Sequence, residues 1–180
     1  LKIKGVTTID RFDNELTIAS VFGVKKIPDF TIKRKDTYPE KRVELHCHTK
    51  MSKMDGLTPM EDLVKKAIKW GHKALAITDH GVVQAFPFCF DAAEGSDIKL
   101  IFGMEGYLIS DSRFKDDMER EPTDTIKKTK SAKIKSNHII ILAKNETGLR
   151  NLYKLVTISH MRYLNKRPLL PRQVIEEHRE

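Results

Sequence analysis

The sequence predicts an α/β domain that contains a parallel sheet and is preceded by a short β segment. Residues 74–78 and 137–143 are largely apolar runs of strand length, which is typical of strands buried on both faces. From about residue 42 onward, segments with apolar residues at helical spacing alternate with such strands. Residues 1–38 differ, since they show the two-residue alternation of a β-hairpin.

The first segment is expected to end in a linker. The alternation at residues 16–19 follows a turn-like Asp13-Asn14 pair, and Pro28, Pro39 and the charges between them are typical of a connecting stretch. We therefore divide the chain into residues 1–38, the end of a neighbouring small β domain with its linker, and residues 39–180, the main domain.

The first helix is predicted from its capping signals. Thr58 is a candidate N-cap, Pro59 suits the first helical position, and Glu61 is placed to close a capping box. Gly71 supplies the stop. A helix is therefore expected from about residue 59 to residue 70.

The remaining elements follow the same pattern. A second helical segment is expected at about residues 82–93, with a kink or a late start at Pro87, and a strand follows at residues 98–102. Residues 110–136 lack apolar periodicity and are predicted to form a long polar loop. The last helix is expected at about residues 146–160, with Asn145 as its N-cap.

Composition limits the function classes. The 180 residues lack a long uncharged apolar run, which excludes a membrane span, and two cysteines are too few for a disulfide framework and suit a reducing cytoplasm. The chain starts at Leu1 without a signal-peptide pattern, as an internal segment of a longer protein would. A net charge of +8, from 33 basic and 25 acidic residues, favours a polyanionic partner.

Part of this charge is concentrated in the polar loop. Its lysines could contact phosphates of nucleic acid, or they could simply be solvated, because no aromatic residues are interleaved with them for base stacking. The candidates for nucleic-acid contact are Lys127, Lys128, Lys130, Lys133 and Lys135.

The strongest chemical signal is the pair His46 and His48. In an extended strand these two side chains share one face, so both imidazoles point to the same place. With the nearby carboxylate of Asp55, they provide half of a zinc, manganese or iron site. The alternative is a pair of half-exposed histidines without a ligand.

Further candidates stand next to the predicted strands. Asp79 and His80 end the buried run 74–78, where α/β folds place their chemistry. We assign His80 as a metal ligand and Asp79 as the outer-shell carboxylate that orients an imidazole, against a purely structural Thr-Asp-His turn. Glu105, between two glycines that close the next strand, could bridge metals or be a surface residue. His138 opens its strand, so a parallel arrangement places it at the opposite rim.

These motifs resemble those of the PHP (polymerase and histidinol phosphatase) domain family. They occur in the family's order: His46-Cys47-His48, Asp55-Gly56, Thr78-Asp79-His80, Gly103-Met104-Glu105 and His138. Residues 41–49, 69–72, 82–87, 144–152 and 168–172 are similar to the PolC-type bacterial DNA polymerase III α chain. The resemblance covers most of the chain from about residue 40.

The resemblance implies a partial, TIM-like (βα)7 PHP barrel, preceded by the end of an OB-fold. It implies up to three divalent metal ions (Zn, Mn or Fe) and a metal-bound water that hydrolyses phosphoesters without a protein nucleophile. It also makes His138 a stronger ligand candidate than its place at the start of a strand suggests. The implied ligands are His46, His48, Asp55, His80, Glu105 and His138.

The same resemblance implies a parent protein that is a DNA-directed DNA polymerase, a nucleotidyltransferase that uses Mg in cytoplasmic DNA replication. Its implied partners are DNA, other polymerase domains and replisome subunits.

Two departures from the family limit the expected activity. PolC-type chains usually carry a proofreading exonuclease between the Glu105 and His138 motifs, whereas this chain has only the polar loop. The family's later cysteine and Asp-x-His ligands are absent, since no Asp follows Asp124. We therefore expect weak or no phosphoesterase activity. The open alternatives are a purely structural replicase module and a standalone PHP phosphoesterase.

Overall fold

The computed structural model describes residues 1–32, 34–110 and 135–179, in two compact units, Leu1–Asp36 and Thr37–Glu180. In the first unit, β1 (Lys2–Ile9) and β2 (Leu16–Lys25) form an antiparallel hairpin with Ile9 opposite Leu16. The turn between them is closed by Asp10, whose N–H donates to the Glu15 carbonyl at 2.8 Å. The predicted hairpin is confirmed, and its assignment to an OB-fold stays a prediction.

The second unit is a mixed α/β domain, as the sequence predicted. Strand β4 (Lys99–Ile109) is its centre: it pairs in parallel with β3 (Ala74–Ile77) and β7 (Arg167–Pro171) and antiparallel with β5 (Asn137–Leu142), while β6 (Leu164–Asn165) pairs antiparallel with β7. The partial barrel stays a prediction. In chain order the elements are α1 (Met60–Trp70), β3 (Ala74–Ile77), α2 (Phe86–Ala93), β4 (Lys99–Ile109), β5 (Asn137–Leu142), α3 (Glu146–Met161), β6 (Leu164–Asn165), β7 (Arg167–Pro171) and α4 (Arg172–Glu176).

Strand β4 is longer than the sequence suggested. The prediction that residues 103–106 close the strand is wrong, because β4 continues to Ile109. A Cβ on Gly103 would lie 2.5 Å from the Ile141 carbonyl oxygen, so this glycine permits close packing against β5 and does not form a turn. Glu105 consequently lies in the middle of the sheet.

Strand β5 runs in the direction opposite to the predicted one. It is antiparallel to β4, with Leu142 opposite Gly103 and His138 opposite Tyr107. Its residues are exposed or half-buried, whereas the prediction was a strand buried on both faces. The placement of His138 at the far rim is therefore wrong. The reversed direction brings His138 beside the end of β4, two residues from the level of Glu105.

Three of the predicted helix-end signals agree with the structure, whereas those at the start of α1 do not. Gly71 ends α1 with φ 77°, α2 starts late beside Pro87, and the Asn145 side chain accepts the Gly148 N–H at 2.9 Å at the start of α3. The predicted Thr58 capping box is wrong, because α1 begins at Met60 and its first turn has no side-chain cap.

The core of the second unit joins the three longer helices to the sheet. Each fully buried Leu or Ile side chain contributes about 1.5–3 kcal/mol. None of the helices in the described ranges has both the length and the apolar character needed to cross a bilayer. The largest fully buried apolar side chains of this core are Val64, Ile77, Cys89, Met104, Leu152 and Leu170.

Candidate metal centre

The segment before α1 brings two imidazoles together. It lies beside β3, where the Ala76 N–H donates to the Glu44 carbonyl at 2.8 Å and the Thr78 N–H donates to the Cys47 carbonyl at 3.0 Å. The segment is not a continuous strand, since only Glu44 forms a bridge with β3. The imidazoles nevertheless converge, with the Nε2 atoms of His46 and His48 2.9 Å apart.

Glu105 lies at the centre of the histidines. Its Oε2 is 2.7 Å from His46 Nε2 and 2.8 Å from His48 Nε2, and its Oε1 contacts His138 Nδ1. The side chain is 3% exposed. One buried carboxylate therefore joins three imidazoles from two parts of the chain.

A tight loop adds a second carboxylate. Gly56 allows this loop to pass close to residues 48–49, because a Cβ on Gly56 would lie 1.9 Å from the Thr49 carbonyl oxygen. The loop places Asp55 Oδ2 2.9 Å from His80 Nε2 and 3.8 Å from His48 Nε2.

All six predicted ligands lie in one cluster. Their donor atoms form three groups, each with its atoms within 4.8 Å of one another, and His48, His80 and Glu105 each belong to two groups. The groups therefore overlap, and the Glu105 carboxylate has two oxygens with which it could serve two adjacent ions. The groups are His46, His48 and Glu105; His48, Asp55 and His80; and His80, Glu105 and His138.

The donor set fits divalent cations. His80 Nδ1 is buried and lacks a hydrogen-bond partner among the described residues, and Glu105 Oε2 is 3.7 Å away. Leaving such an atom unsatisfied costs roughly 1–3 kcal/mol, which a cation bound to the nitrogen would remove. Imidazole and carboxylate together suit Zn, Mn or Fe.

Glu105 is in the protonation state that a ligand needs. Burial alone would raise its pKa, but the hydrogen bond with His46 and the positive charge of His80, His138 and His46 outweigh burial and hold the pKa of Glu105 below its ordinary value. The carboxylate is therefore ionised at neutral pH.

Asp79 bonds to no imidazole itself in the described contacts, and its predicted outer-shell role stays a prediction. Its buried carboxylate accepts the Thr49 N–H at 2.7 Å, the Thr49 hydroxyl at 2.8 Å and the Ser52 hydroxyl at 2.6 Å. Asp79 thus holds Thr49 and Ser52 in place, and in the described contacts it acts on the histidines through these two residues.

Ser52 transmits the effect of Asp79 to two histidines. Its oxygen accepts the His80 backbone N–H at 3.1 Å and lies 3.1 Å from His48 Nδ1. Because the Ser52 proton is donated to Asp79, we infer that His48 carries its proton on Nδ1. The other ring nitrogen, His48 Nε2, then faces Glu105 Oε2 at 2.8 Å, a contact that either a proton or a bound cation on this nitrogen would satisfy.

Sequence reasoning missed two residues beside the cluster. Tyr107 stacks on His80 with ring centroids 5.8 Å apart and meets His138 edge-on at 5.2 Å. The guanidinium of Arg167 lies 5.0 Å from the centroid of the Tyr107 ring. The position of Tyr107 two residues after Glu105 could have indicated a shared strand face, whereas nothing in the sequence pointed to Arg167.

The predicted nucleic-acid contact is not addressed by the fold. Lys127, Lys128, Lys130 and Lys133 lie outside the described residues, and Lys135 is exposed. The lysine contact stays a prediction.

Comparison with known proteins gives a consistent family match. A model of the PHP domain matches residues 44–180. The DNA polymerase III PolC-type of Clostridium perfringens is 51% identical over 107 residues, 59% of this chain and 7% of that protein. Its counterpart in Staphylococcus epidermidis is 36% identical over 168 residues, 92% of this chain and 11% of that protein. The chain thus spans about a tenth of the length of these relatives.

A solved structure is also similar. It is described as a candidate metal-dependent phosphoesterase of Bifidobacterium adolescentis. It is 22% identical and covers 67% of this chain and 35% of its own, with a TM-score of 0.39. This likeness is too low to support an argument about function.

Proposed function

This chain belongs to the PHP domain family, and we propose that it is the metal-binding PHP part of a PolC-type DNA polymerase III α chain. The relatives that support this proposal match along up to 92% of the chain. The whole parent protein would polymerise DNA with Mg in the cytoplasm, together with DNA, its other domains and replisome subunits.

We further propose that the cluster holds up to three divalent ions, Zn, Mn or Fe. The observation that carries this proposal is the sharing of His48, His80 and Glu105 among three donor groups. A divalent ion bound there would supply a Lewis acid and a water of lowered pKa for attack on a phosphoester. The proposed ligands are His46, His48, Asp55, His80, Glu105 and His138.

Within the described ranges, the protein itself supplies no activated nucleophile beside the cluster. Ser52 is buried and donates its proton to Asp79. The pKa of the Cys47 thiol is raised to about 11, by burial and then by the charges of Glu44 and Asp79, so the thiol stays neutral at physiological pH. Hydrolysis is therefore assigned to a bound water.

The cluster is open to a substrate on one side. His46, His138 and Asp55 have side chains that are 50%, 48% and 54% exposed, whereas Glu105 lies beneath them. A phosphoester can reach the exposed ligands without a movement of the core.

The experiment measures metal and hydrolysis in the same samples. The purified chain is incubated with Mn²⁺ or Zn²⁺ and dialysed, its metal content is measured by mass spectrometry, and turnover of p-nitrophenyl phosphate is recorded. We expect up to three ions per chain and weak, metal-dependent hydrolysis. Loss of an outer-shell contact alone lowers metal affinity about 10–100-fold, so His48→Asn, which removes a proposed ligand, should lose metal and turnover together.

His178→Asn is the matched control, because the Nδ1–H of His178 donates only to the Val174 carbonyl oxygen in the described hydrogen bonds, away from the cluster. The control should retain the metal. Absence of metal from the native chain, or equal metal in His48→Asn and the control, would contradict the proposal.

A structural role without hydrolysis is the second candidate. In that role, ions bound around Glu105, whose carboxylate contacts imidazoles from two parts of the chain, would hold those parts together. A version of the chain extended at its C-terminus separates the two: metal with turnover supports the hydrolase, and metal without turnover in both versions supports the structural module. A standalone phosphoesterase is less well supported, because the PolC-type relatives match along almost the whole chain.

A further inference from the structure

We propose that Arg167, supported by the ring of Tyr107, binds the phosphoryl oxygens of a phosphate ester beside the metal cluster. This inference rests on the proposed function, since it names the residues that would hold the substrate of that site. Arg167 belongs to no proposed metal group, and none of the family motifs quoted above includes it.

The strand register places Arg167 on the face of the cluster. In β4, Glu105 and Tyr107 are two residues apart and share one face. In β7, Arg167 and Leu169 share one face in the same way, and Leu169 is paired in parallel with Tyr107. Because paired residues of neighbouring strands point to the same side, Arg167 projects on the side of Glu105.

Tyr107 connects Arg167 to the ligands. Its ring stacks on His80 at 5.8 Å and meets His138 edge-on at 5.2 Å, and Arg167 lies over it at 5.0 Å. A cation–π contact of this kind contributes roughly 0.5–1 kcal/mol when exposed. It restricts a long side chain that would otherwise be free, and it leaves the N–H groups of the guanidinium available.

The turn before β7 fixes the origin of this side chain. The β6–β7 hairpin pairs Asn165 with Arg167 around a single residue, Lys166, whose φ is 58°. A non-glycine residue in this region is uncommon and is maintained only where the surroundings determine it. The start of β7 is therefore set by the hairpin.

The charge of Arg167 is uncompensated in the described part of the chain. Arg42, Arg150 and Arg172 form ion pairs with neighbouring glutamates, whereas no carboxylate pairs with Arg167 within residues 1–32, 34–110 and 135–179. An exposed guanidinium that is oriented and has no carboxylate partner matches the two oxygens of a phosphoryl group.

The test is equilibrium dialysis of the chain against radiolabelled inorganic phosphate, with Mn²⁺ and separately with EDTA. The variants are Arg167→Met, Arg167→Lys and the control Arg150→Met, which removes another exposed arginine that lies on α3. Folding is checked by thermal unfolding, and metal content is measured in parallel. Arg167→Lys keeps the charge and loses the planar fork.

We expect Arg167→Met to weaken phosphate binding at least about tenfold and Arg167→Lys to weaken it less, with the metal content of both unchanged. Arg150→Met should bind as the native chain does. Equal binding by Arg167→Met and the native chain, or no phosphate binding in either condition, overturns the inference.

The proposed function fails separately, if the native chain holds no Mn²⁺. In that case Arg167-dependent phosphate binding in EDTA would still support the role of Arg167.

Discussion

Single buried residues support the exposed ligands of the site. Ser52 is buried, yet its hydroxyl is bonded to Asp79, to the His80 backbone and to His48. The histidines and acids could be found from the sequence because their spacing is distinctive. Ser52 and Arg167 could not be found in this way, because their roles depend on contacts with residues far along the chain. Ser52 contacts His80, about 28 residues away, and Arg167 contacts Tyr107, about 60 residues away.

Ser52→Ala is expected to affect both stability and metal affinity. It removes one donor to Asp79 and one acceptor for His48, so the free energy of unfolding should fall by roughly 1–3 kcal/mol and metal affinity by about 10–100-fold. Urea unfolding and Mn²⁺ titration measure the two effects.

Ser96→Ala is the control for this variant, since Ser96 donates only to the Ala93 carbonyl after α2 in the described bonds. A metal affinity of Ser52→Ala equal to that of the control would show that Ser52 does not position His48.

The Cys89 thiol is expected to be unreactive in the folded chain. Burial and then the charge of Cys47 raise the pKa of Cys89 from 9.0 to about 12, so at pH 8 the thiolate is scarce. Iodoacetamide labelling, followed by mass spectrometry of the Cys89 peptide, should be slow in buffer and fast in urea. Fast labelling in both would contradict the burial of this side chain.

The same pKa gives the direction of a pH effect on stability. The folded state keeps the thiol protonated above pH 9, where the unfolded chain ionises. The contribution of Cys89 to stability is therefore complete below pH 9 and is lost as the pH rises toward 12.

Among the elements, β4 contributes most to the site. Its length was underestimated because Gly103 and Gly106 suggest a turn in the sequence, whereas in the sheet they allow close neighbours. The helices were predicted well, since their caps and apolar spacing are local signals. The direction of β5 was not predicted, because whether an apolar strand pairs in parallel or antiparallel depends on strands far away in the sequence.

Gly103→Ala tests this account of β4. The new methyl group would lie 2.5 Å from the Ile141 backbone oxygen, so we expect the free energy of unfolding to fall by about 1–3 kcal/mol. Gly23→Ala is the control, because its nearest neighbour would be the Lys4 Cβ at 3.5 Å. Urea unfolding should distinguish them, and equal stability would mean that β4 and β5 are not closely packed at this position.

At the scale of the whole molecule, the chain consists of two compact units and spans about a tenth of the length of its PolC-type relatives. The α/β class of the second unit could be predicted because buried strands and amphipathic helices alternate along the sequence. The closure of a barrel could not, since it depends on segments that pair over long distances.

Metal removal should destabilise the second unit. A ligand that binds only the folded state at 100 times its Kd adds about 2.7 kcal/mol, so the thermal midpoint should rise with Mn²⁺ and fall with EDTA. Glu105→Gln should abolish this difference, and Glu146→Gln on α3, whose ion pair is exposed, should retain it. A midpoint that does not respond to metal in the native chain would contradict the account.

The central claim is that distant histidines and acids meet to bind divalent ions, and diffraction tests it most directly. Crystals of the chain soaked in Mn²⁺ are measured at the manganese absorption edge. The account predicts anomalous peaks at ligand distance from Glu105, within the groups that contain His46, His80 and His138. A map without a peak beside Glu105 would contradict it, whether Mn²⁺ is bound elsewhere in the crystal or nowhere.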